Sequence, residues 1–490
     1  MSAFREEPAA VLARLRALRE ADAPTHGGRV LSYVYDPDDV RIDELAAEAM
    51  RIAQPVNWLD PMTFPSAAAV ERDVLGFVRG LLHGDEDVVG TITTGGTESC
   101  LLAVKSARDV WLRAHGAVSG AARPRLVAPT TVHAAFQKGA DYLGLELDPV
   151  PVEPDGRVSA ASIAARLERS DDVALVVVSA PSYPFASLDP VVDVAAITAA
   201  AGVPLHVDAC VGGLVLPFWP GLSDWDFRVP GVTSMSADLH KYGYAPKGVS
   251  VLLQRGRDLQ RQQFFATTRW PGYPVVNPTI LGSRSTMAAA AAWAIIQALG
   301  EEGYRARADV ARSATEAIRA AVAGIEGLRI VGDPVGPMLA VAADAAVPEA
   351  RRVDPHRWTD AVRGRGFAIQ QQPSRPQPDG TRLPGTTHFT VTPVTARVLD
   401  ELLPVLSSSA DEVRGLPPAS AAELLGALPP LTGAIDSASA GALLAALGLG
   451  GGSLPGDQAT LLAAIEALPP ELAERLLIEM VGRIAEPTAS

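Results

Sequence analysis

Ser236-Ala237-Asp238-Leu239-His240-Lys241 follows a run of β-strand character, and its lysine lies 33 residues beyond Asp208. That acid closes an earlier apolar run, His206-Val207-Asp208-Ala209-Cys210, one β-α step upstream. In open α/β sheets ligands bind in the crevice at the carboxyl ends of the strands, so both side chains belong at one end of a mainly parallel sheet. A lysine so placed can form a Schiff base with pyridoxal 5'-phosphate (PLP), and the acid can hold the pyridine nitrogen protonated. Most lysines are simply solvated, so the reading depends on what else the chain brings to that crevice.

From about residue 57 to residue 300, helical periodicity alternates with short β-branched runs, the signature of βαβ units. Strands are expected at 126–128, 175–178, 205–207, 232–235 and 249–253, and helices at 97–115, 133–143, 160–169 and 191–201. The apolar run 287–299 is too short to span a bilayer and reads as a buried core helix. Residues 301–410 read as a smaller α+β domain, with strands at 338–342 and 389–392 between helices. Ahead of both, Val11, Leu12, Leu15 and Leu18 recur at helical spacing, so residues 1–56 form an N-terminal helical segment. Residues 411–490 turn rich in Ala, Leu, Gly and Pro, with Leu-Pro-Pro near 416, 428 and 468. They read as a helical extension with a Gly-rich joint at 448–452.

Two further features point at the same crevice. Thr93-Thr94-Gly95-Gly96-Thr97-Glu98-Ser99 places two glycines where a loop enters a helix. Free N–H groups and a positive dipole end make such a place a phosphate cradle, although a tight turn capped by Thr has the same look. His133, at another expected helix start, could stack on a cofactor ring. Lys247, in Tyr242-Gly243-Tyr244-Ala245-Pro246-Lys247-Gly248, is a second cation that the turn could bring close.

The bulk properties narrow the partners. Lys+Arg 42 against Asp+Glu 56 gives a net charge of −14, which opposes nucleic acid and anionic membrane as partners. Two cysteines are too few for a disulfide framework, and Arg5, Glu6 and Glu7 occupy the place of a signal peptide's apolar stretch. A cytoplasmic protein with no membrane span, acting on a small molecule, is expected.

Taken in order, these segments resemble the sphingosine-1-phosphate lyase branch of the group II PLP-dependent decarboxylases, enzymes of fold type I. The resemblance rests on residues 94–99, 133–138, 179–181, 206–213 and 236–248, on Gln263-Phe264-Phe265-Ala266-Thr267-Thr268 and Pro278-Thr279, and on Gly282-Ser283-Arg284. It implies a PLP-binding α/β large domain (57–300), a smaller domain and a homodimer. Lys241 would be the Schiff-base lysine, Asp208 the pyridinium partner and His133 the stacking ring. Gly96 and Thr97 with His240 would hold the cofactor phosphate, and Gly95 and Ser236 belong to the same cofactor site. Gly282 and Ser283 would reach the phosphate from the other subunit, while Lys247 and Tyr35 would hold a substrate phosphate. No metal is part of this reading. The implied reaction is a retro-aldol cleavage of a phosphorylated amino alcohol to an aldehyde and phosphoethanolamine, with His240, Lys241 or a tyrosine as base.

One departure keeps an alternative open. The family's Asn-Pro-Leu-His-Pro reads Asn57-Trp58-Leu59-Asp60-Pro61 here, which puts an aspartate where a histidine helps hold phosphate and leaves Asn57 as the substrate-side residue. Arg375 and Arg382, expected near the mouth of the site, could grip a carboxylate instead. An amino acid decarboxylase of the same fold is therefore the second reading. A scaffolding protein that engages a partner through its tail is the third, and an intact Lys241, Asp208 and His133 oppose it.

Overall fold

The computed structural model describes residues 4–116, 123–168, 172–422, 426, 436–446, 449 and 457–487. Its centre is a seven-stranded sheet of β1 (Val88–Thr93), β2 (Arg125–Pro129), β3 (Glu146–Val150), β4 (Val173–Ser179), β5 (Leu205–Asp208), β6 (Val232–Ala237) and β7 (Ser250–Arg255). The spatial order is β1-β7-β6-β5-β4-β2-β3. β2 through β6 pair in parallel, and β7 alone runs against its neighbours β1 and β6.

Strand chemistry follows position. β4 is buried at every residue, as a parallel strand covered on both faces must be. β3 pairs only with β2 and carries Pro149, which has no N–H to donate and so fits an edge. That proline and its charged neighbours hide β3 from a hydrophobic reading. β1 went unread as well, because Gly90 interrupts it; a Cβ there would lie 2.5 Å from Leu253 Cδ2 on β7.

Helices α1 (Pro8–Arg19), α2 (Val40–Ala53), α3 (Pro65–Leu81), α4 (Gly96–His115), α5 (Ala134–Leu143), α6 (Ala160–Leu167), α7 (Val191–Ala201) and α8 (Arg257–Gln260) precede or connect these strands. The hairpin of β8 (Phe265–Thr267) and β9 (Val275–Asn277) leads into the long α9 (Met287–Ala323). α9 is two helices joined at Gly300, whose φ of 55° and ψ of −175° break the helical path. Its first half packs in the large core, where Ile295 and Ile296 are buried. Its second half gives Ile318 and Val322 to a separate core with Trp358, Phe389 and Leu402.

That second core belongs to an antiparallel sheet of β10 (Leu328–Ile330), β11 (Met338–Ala343), β12 (Gln370–Gln372) and β15 (Thr386–Thr390), in the order β10-β11-β15-β12. A small hairpin, β13 (Arg375–Pro376) with β14 (Arg382–Leu383), lies between β12 and β15 in sequence. α10 (Pro355–Arg363) and α11 (Leu399–Val413) cover the sheet. Beyond them, α12 (Ser437–Ala446), α13 (Gln458–Ala467) and α14 (Pro470–Ile484) share a small cluster of Leu443, Leu444, Leu468 and Leu476. The extension rests on the small domain, where Ala459 N donates to Asp360 Oδ2 at 2.8 Å and Ser374 N donates to Glu466 Oε1 at 3.0 Å. The Gly-rich joint at 448–452, Leu449 apart, and the Leu-Pro-Pro at 428–430 lie outside the described residues.

The N-terminal helix differs from expectation in one respect. α1 forms, but none of its residues is buried, and Leu18 is 74 % exposed. Its apolar stripe finds no core among the described residues. Among the described residues no helix is long and apolar enough to cross a membrane.

Candidate active site

The parallel register sets Asp208 beside Ser236, so β5 and β6 end together and the turn after β6 passes over that edge. A cavity of about 590 Å³ opens there, within the ~300–1,000 Å³ range of small-molecule sites. Lys241, Asp238, His240 and Asp208 line one side and the loop at the start of α4 another, with Tyr35, Lys247, His133 and Tyr183 among the other lining residues.

Lys241 Nζ lies 2.9 Å from Asp238 Oδ2, and His240 Nε2 lies 3.4 Å from the same oxygen. Burial disfavours the ammonium, but the Asp238 carboxylate outweighs it and holds the Lys241 pKa well above the usual lysine value. Burial likewise opposes the Asp238 charge, and Lys241 and His240 override it and keep that carboxyl low. The pair therefore stands as ammonium and carboxylate. His240 goes the other way, pushed down chiefly by burial. Its Nδ1 accepts from Val249 N at 3.4 Å, so both ring nitrogens are engaged.

Asp208 Oδ1 accepts from Cys210 N at 3.0 Å and from Ser236 Oγ at 3.2 Å. Ser236 is fully buried and does not itself line the cavity; it acts on it through Asp208 and Cys210. Behind it, His206 contacts Ser234 Oγ and Ser236 Oγ at 2.8 and 3.2 Å, and burial lowers its pKa to about 4, so it is a neutral strut. Gly96 needs to be glycine. A Cβ there would sit 2.7 Å from Asp238 Oδ1 and 2.8 Å from Cys210 Sγ, both buried. His133 caps α5, with Nδ1 accepting from Ala135 N at 3.1 Å.

Lys247 Nζ lies 4.6 Å from the centre of the Tyr35 ring and donates to His240 O at 2.9 Å. The residue is exposed overall, yet the protein packed around it and then the charge of Lys241 push its pKa down to about 8. Burial pushes the Tyr35 phenol up.

Other expected residues stand apart from this cavity. Asn57 caps its own turn by accepting from Leu59 N at 3.0 Å, and its Nδ2 donates to Ser283 Oγ at 3.4 Å. Neither it nor Gly282 or Ser283 lines the cavity of its own chain. Asp60 is also a local cap, accepting from Met62 N and Thr63 Oγ1 at 2.9 and 2.6 Å; the Thr63 hydroxyl leads in holding its carboxyl low. Arg375 and Arg382 do not reach the mouth of the site. Arg382 is bound to Ser374 Oγ at 2.6 Å, with Glu466 at 3.7 Å, because the β13–β14 hairpin faces the C-terminal extension.

Sequence reasoning assigned no role to Asp238, although an acid three residues before the lysine on one turn was a legible signal. Glu98 was missed for a better reason. Its Oε2 accepts from Thr94 N and Oγ1 at 2.7 and 2.8 Å, and its Oε1 accepts from Ile280 N at 2.8 Å, a partner 182 residues away. Tyr183, whose hydroxyl donates to Gln370 Oε1 at 2.6 Å, joins the wall from the small domain side and carries no motif.

A buried amine, a carboxylate on the neighbouring strand and a side-chain-free loop at a helix N-terminus together fit PLP, and the fold is that of a PLP enzyme of fold type I. Residues 33–340 match the model of the pyridoxal-dependent decarboxylase conserved domain. The chain belongs to that family, and its cofactor is pyridoxal 5'-phosphate. Residues 394–483 match a second model, named for the C-terminal HTH region of pyridoxal-dependent enzymes. The chain is 36% identical over 306 residues to a sphingosine-1-phosphate lyase of Dictyostelium discoideum, covering 61% of this chain and 56% of that one. It is 32% identical over 394 residues to sphingosine-1-phosphate lyase 1 of Mus musculus, covering 79% and 65%. It thus spans between 56% and 65% of the length of these two curated relatives. A solved sphingosine-1-phosphate lyase from Burkholderia pseudomallei superposes with a TM-score of 0.76 at 31% identity, covering 84% of this chain and 93% of that one.

Proposed function

We propose that this chain is a carbon-carbon lyase that cleaves a phosphorylated long-chain amino alcohol to an aldehyde and phosphoethanolamine. The observation that carries the reading is a second cation, Lys247 over Tyr35, in the same cavity as Lys241. A substrate whose amine goes to Lys241's place and whose phosphate goes to Lys247 uses both. The names of the relatives at 31–36% identity support it.

PLP, when bound, supplies the sink for the electron pair left on Cα when the Cα–Cβ bond breaks. Lys241 would hold the cofactor, and its amine would be freed when a substrate amine takes its place. Asp238 Oδ2, 2.9 Å from Nζ, orients the amine and stabilises its protonated form, which makes it a stronger base. Asp208 would hold the ring nitrogen's proton, with Oδ1 braced by Cys210 N and Ser236 Oγ. Both nitrogens of His240 are occupied, and the Tyr183 hydroxyl is committed to Gln370. The freed Lys241 amine is then the base for the substrate hydroxyl, and the same proton returns to Cα after cleavage.

A substrate panel decides the matter. Phosphorylated sphingoid bases should yield aldehyde and phosphoethanolamine without carbon dioxide. Carbon dioxide from aromatic or acidic amino acids, with no aldehyde from the phosphates, would establish the decarboxylase instead. Asp60 as a turn cap and Arg382 on Glu466 no longer favour that alternative.

The functional assembly we propose is a homodimer in which Gly282 and Ser283 complete the partner's phosphate site. The exposed side chains of Phe265, Trp270, Tyr273, Val276 and Ile280, just ahead of that dipeptide, support it. The reducing cytoplasm is the proposed compartment, supported by two free thiols. The proposed division is 1–56, 57–300, 301–410 and 411–490. From residue 416 onward eight acids face two arginines, the wrong sign for a phosphate backbone, so the extension is proposed as a packing element and not a nucleic-acid reader.

A further inference from the structure

The chain has two cysteines, and the fold brings both to one place. Cys100 lies on the second turn of α4 and Cys210 two residues past the end of β5; both are free, buried and open to the cofactor cavity. Cys210 Sγ donates to Ser236 Oγ at 3.3 Å. The two sulfurs and a carboxylate oxygen of Asp208 all lie within 4.8 Å of one another. Nothing in the proposed reaction uses either thiol.

We infer that Cys100, Cys210 and Asp208 form a binding site for a soft divalent cation such as Zn²⁺, mutually exclusive with the cofactor. Two sulfurs and a carboxylate are a donor set that suits Zn²⁺. Tetrahedral Zn²⁺ with Zn–S near 2.3 Å sets two sulfurs about 3.8 Å apart, so the 4.8 Å limit leaves about an ångström at most to close. The fourth position opens into the cavity, where a water can complete the shell. Binding converts two thiols and one carboxylate into two thiolates and one carboxylate on the metal. It releases two protons to solvent and changes no oxidation state. Exclusion follows from Asp208, which cannot ligate an ion and face a pyridinium together. The inference rests on the cofactor site described above.

The test uses the full chain with its cofactor loaded and stripped, and Zn²⁺ alone as probe. Retained metal is measured after desalting, and PLP is followed by its absorbance. The stripped chain should retain Zn²⁺ stoichiometrically, the loaded chain should not, and added PLP should expel the ion. Cys100→Ser and Cys100→Val should lose the ion while still taking up PLP, which shows that they fold. Equal Zn²⁺ on stripped wild type and both variants, or equal Zn²⁺ on loaded and stripped chain, overturns the inference. Failure of the wild type to take up PLP at all would sink the cofactor reading with it, whereas loss of the metal result alone leaves that reading standing.

Discussion

Lys241 carries its proton against a buried carboxylate, and that pairing governs when its amine is free to react. Asp238→Asn keeps the shape and removes the charge, so burial then dominates and the lysine pKa falls. Loss of an adjacent opposite charge is worth about 1–3 pH units. Covalent capture of PLP, followed by absorbance against pH, should therefore begin about that much lower than in wild type; an unmoved profile would show that Asp238 does not control the amine. Lys247 titrates within reach of ordinary buffers, because burial and then the Lys241 charge bring it to about 8. It is charged below that value and neutral above it. KM for a phosphorylated substrate should rise as pH passes upward through about 8, and Lys247→Met should raise KM at neutral pH and flatten that dependence. Solvent screens this exposed stem, so the effect belongs at the lower end for a charged hydrogen bond, about tenfold. Both lysines were legible as residues. The pairing of Asp238 with the first and the seating of the second over Tyr35 were not, since each depends on a turn closing.

At the scale of elements, the loop entering α4 joins the two halves of the site. Gly96 lies against Asp238 and Cys210, and Glu98 ties the loop to Ile280. Gly96→Ala inserts a methyl where neither neighbour can retreat, an overpacking of about 1–3 kcal/mol. The cost should appear as a lower urea midpoint together with weaker PLP binding by titration; a change in the midpoint without one in PLP affinity would separate the loop from the cofactor. The Gly-Gly-Thr motif announced a helix start because glycines and a cap precede a helical pattern, and β4 announced itself by an unbroken apolar run. β1 and β3 were silent for equally physical reasons, a glycine under a neighbouring leucine and a proline on an edge. Gly300 explains why one long helix read as two, since each half obeys a different core.

For the whole molecule, the proposed sharing of sites between subunits makes a sharp prediction. A Cβ on Gly282 would meet nothing nearer than 3.9 Å in its own chain, so Gly282→Asp should fold normally. Placed against a partner's phosphate, its charge should abolish activity. Mixing it with inactive Lys241→Ala should restore part of the activity, because some mixed dimers hold one intact site; no recovery after subunit exchange would mean that each chain completes its own. Here the division between sequence and structure is plain. Local chemistry, legible residue by residue, determined the parallel sheet, the lysine and acid at its strand ends and the glycine loop, because strands and helix starts depend on near neighbours. Only the tertiary structure decided that Asp238 pairs with Lys241, that Glu98 reaches Ile280, that Asp60 and Arg382 serve turns and packing, and that two cysteines far apart in the chain meet at Asp208. The longest of those contacts, Glu98 to Ile280 and Cys100 to Cys210, join segments whose separation in sequence carries no trace of their distance in space.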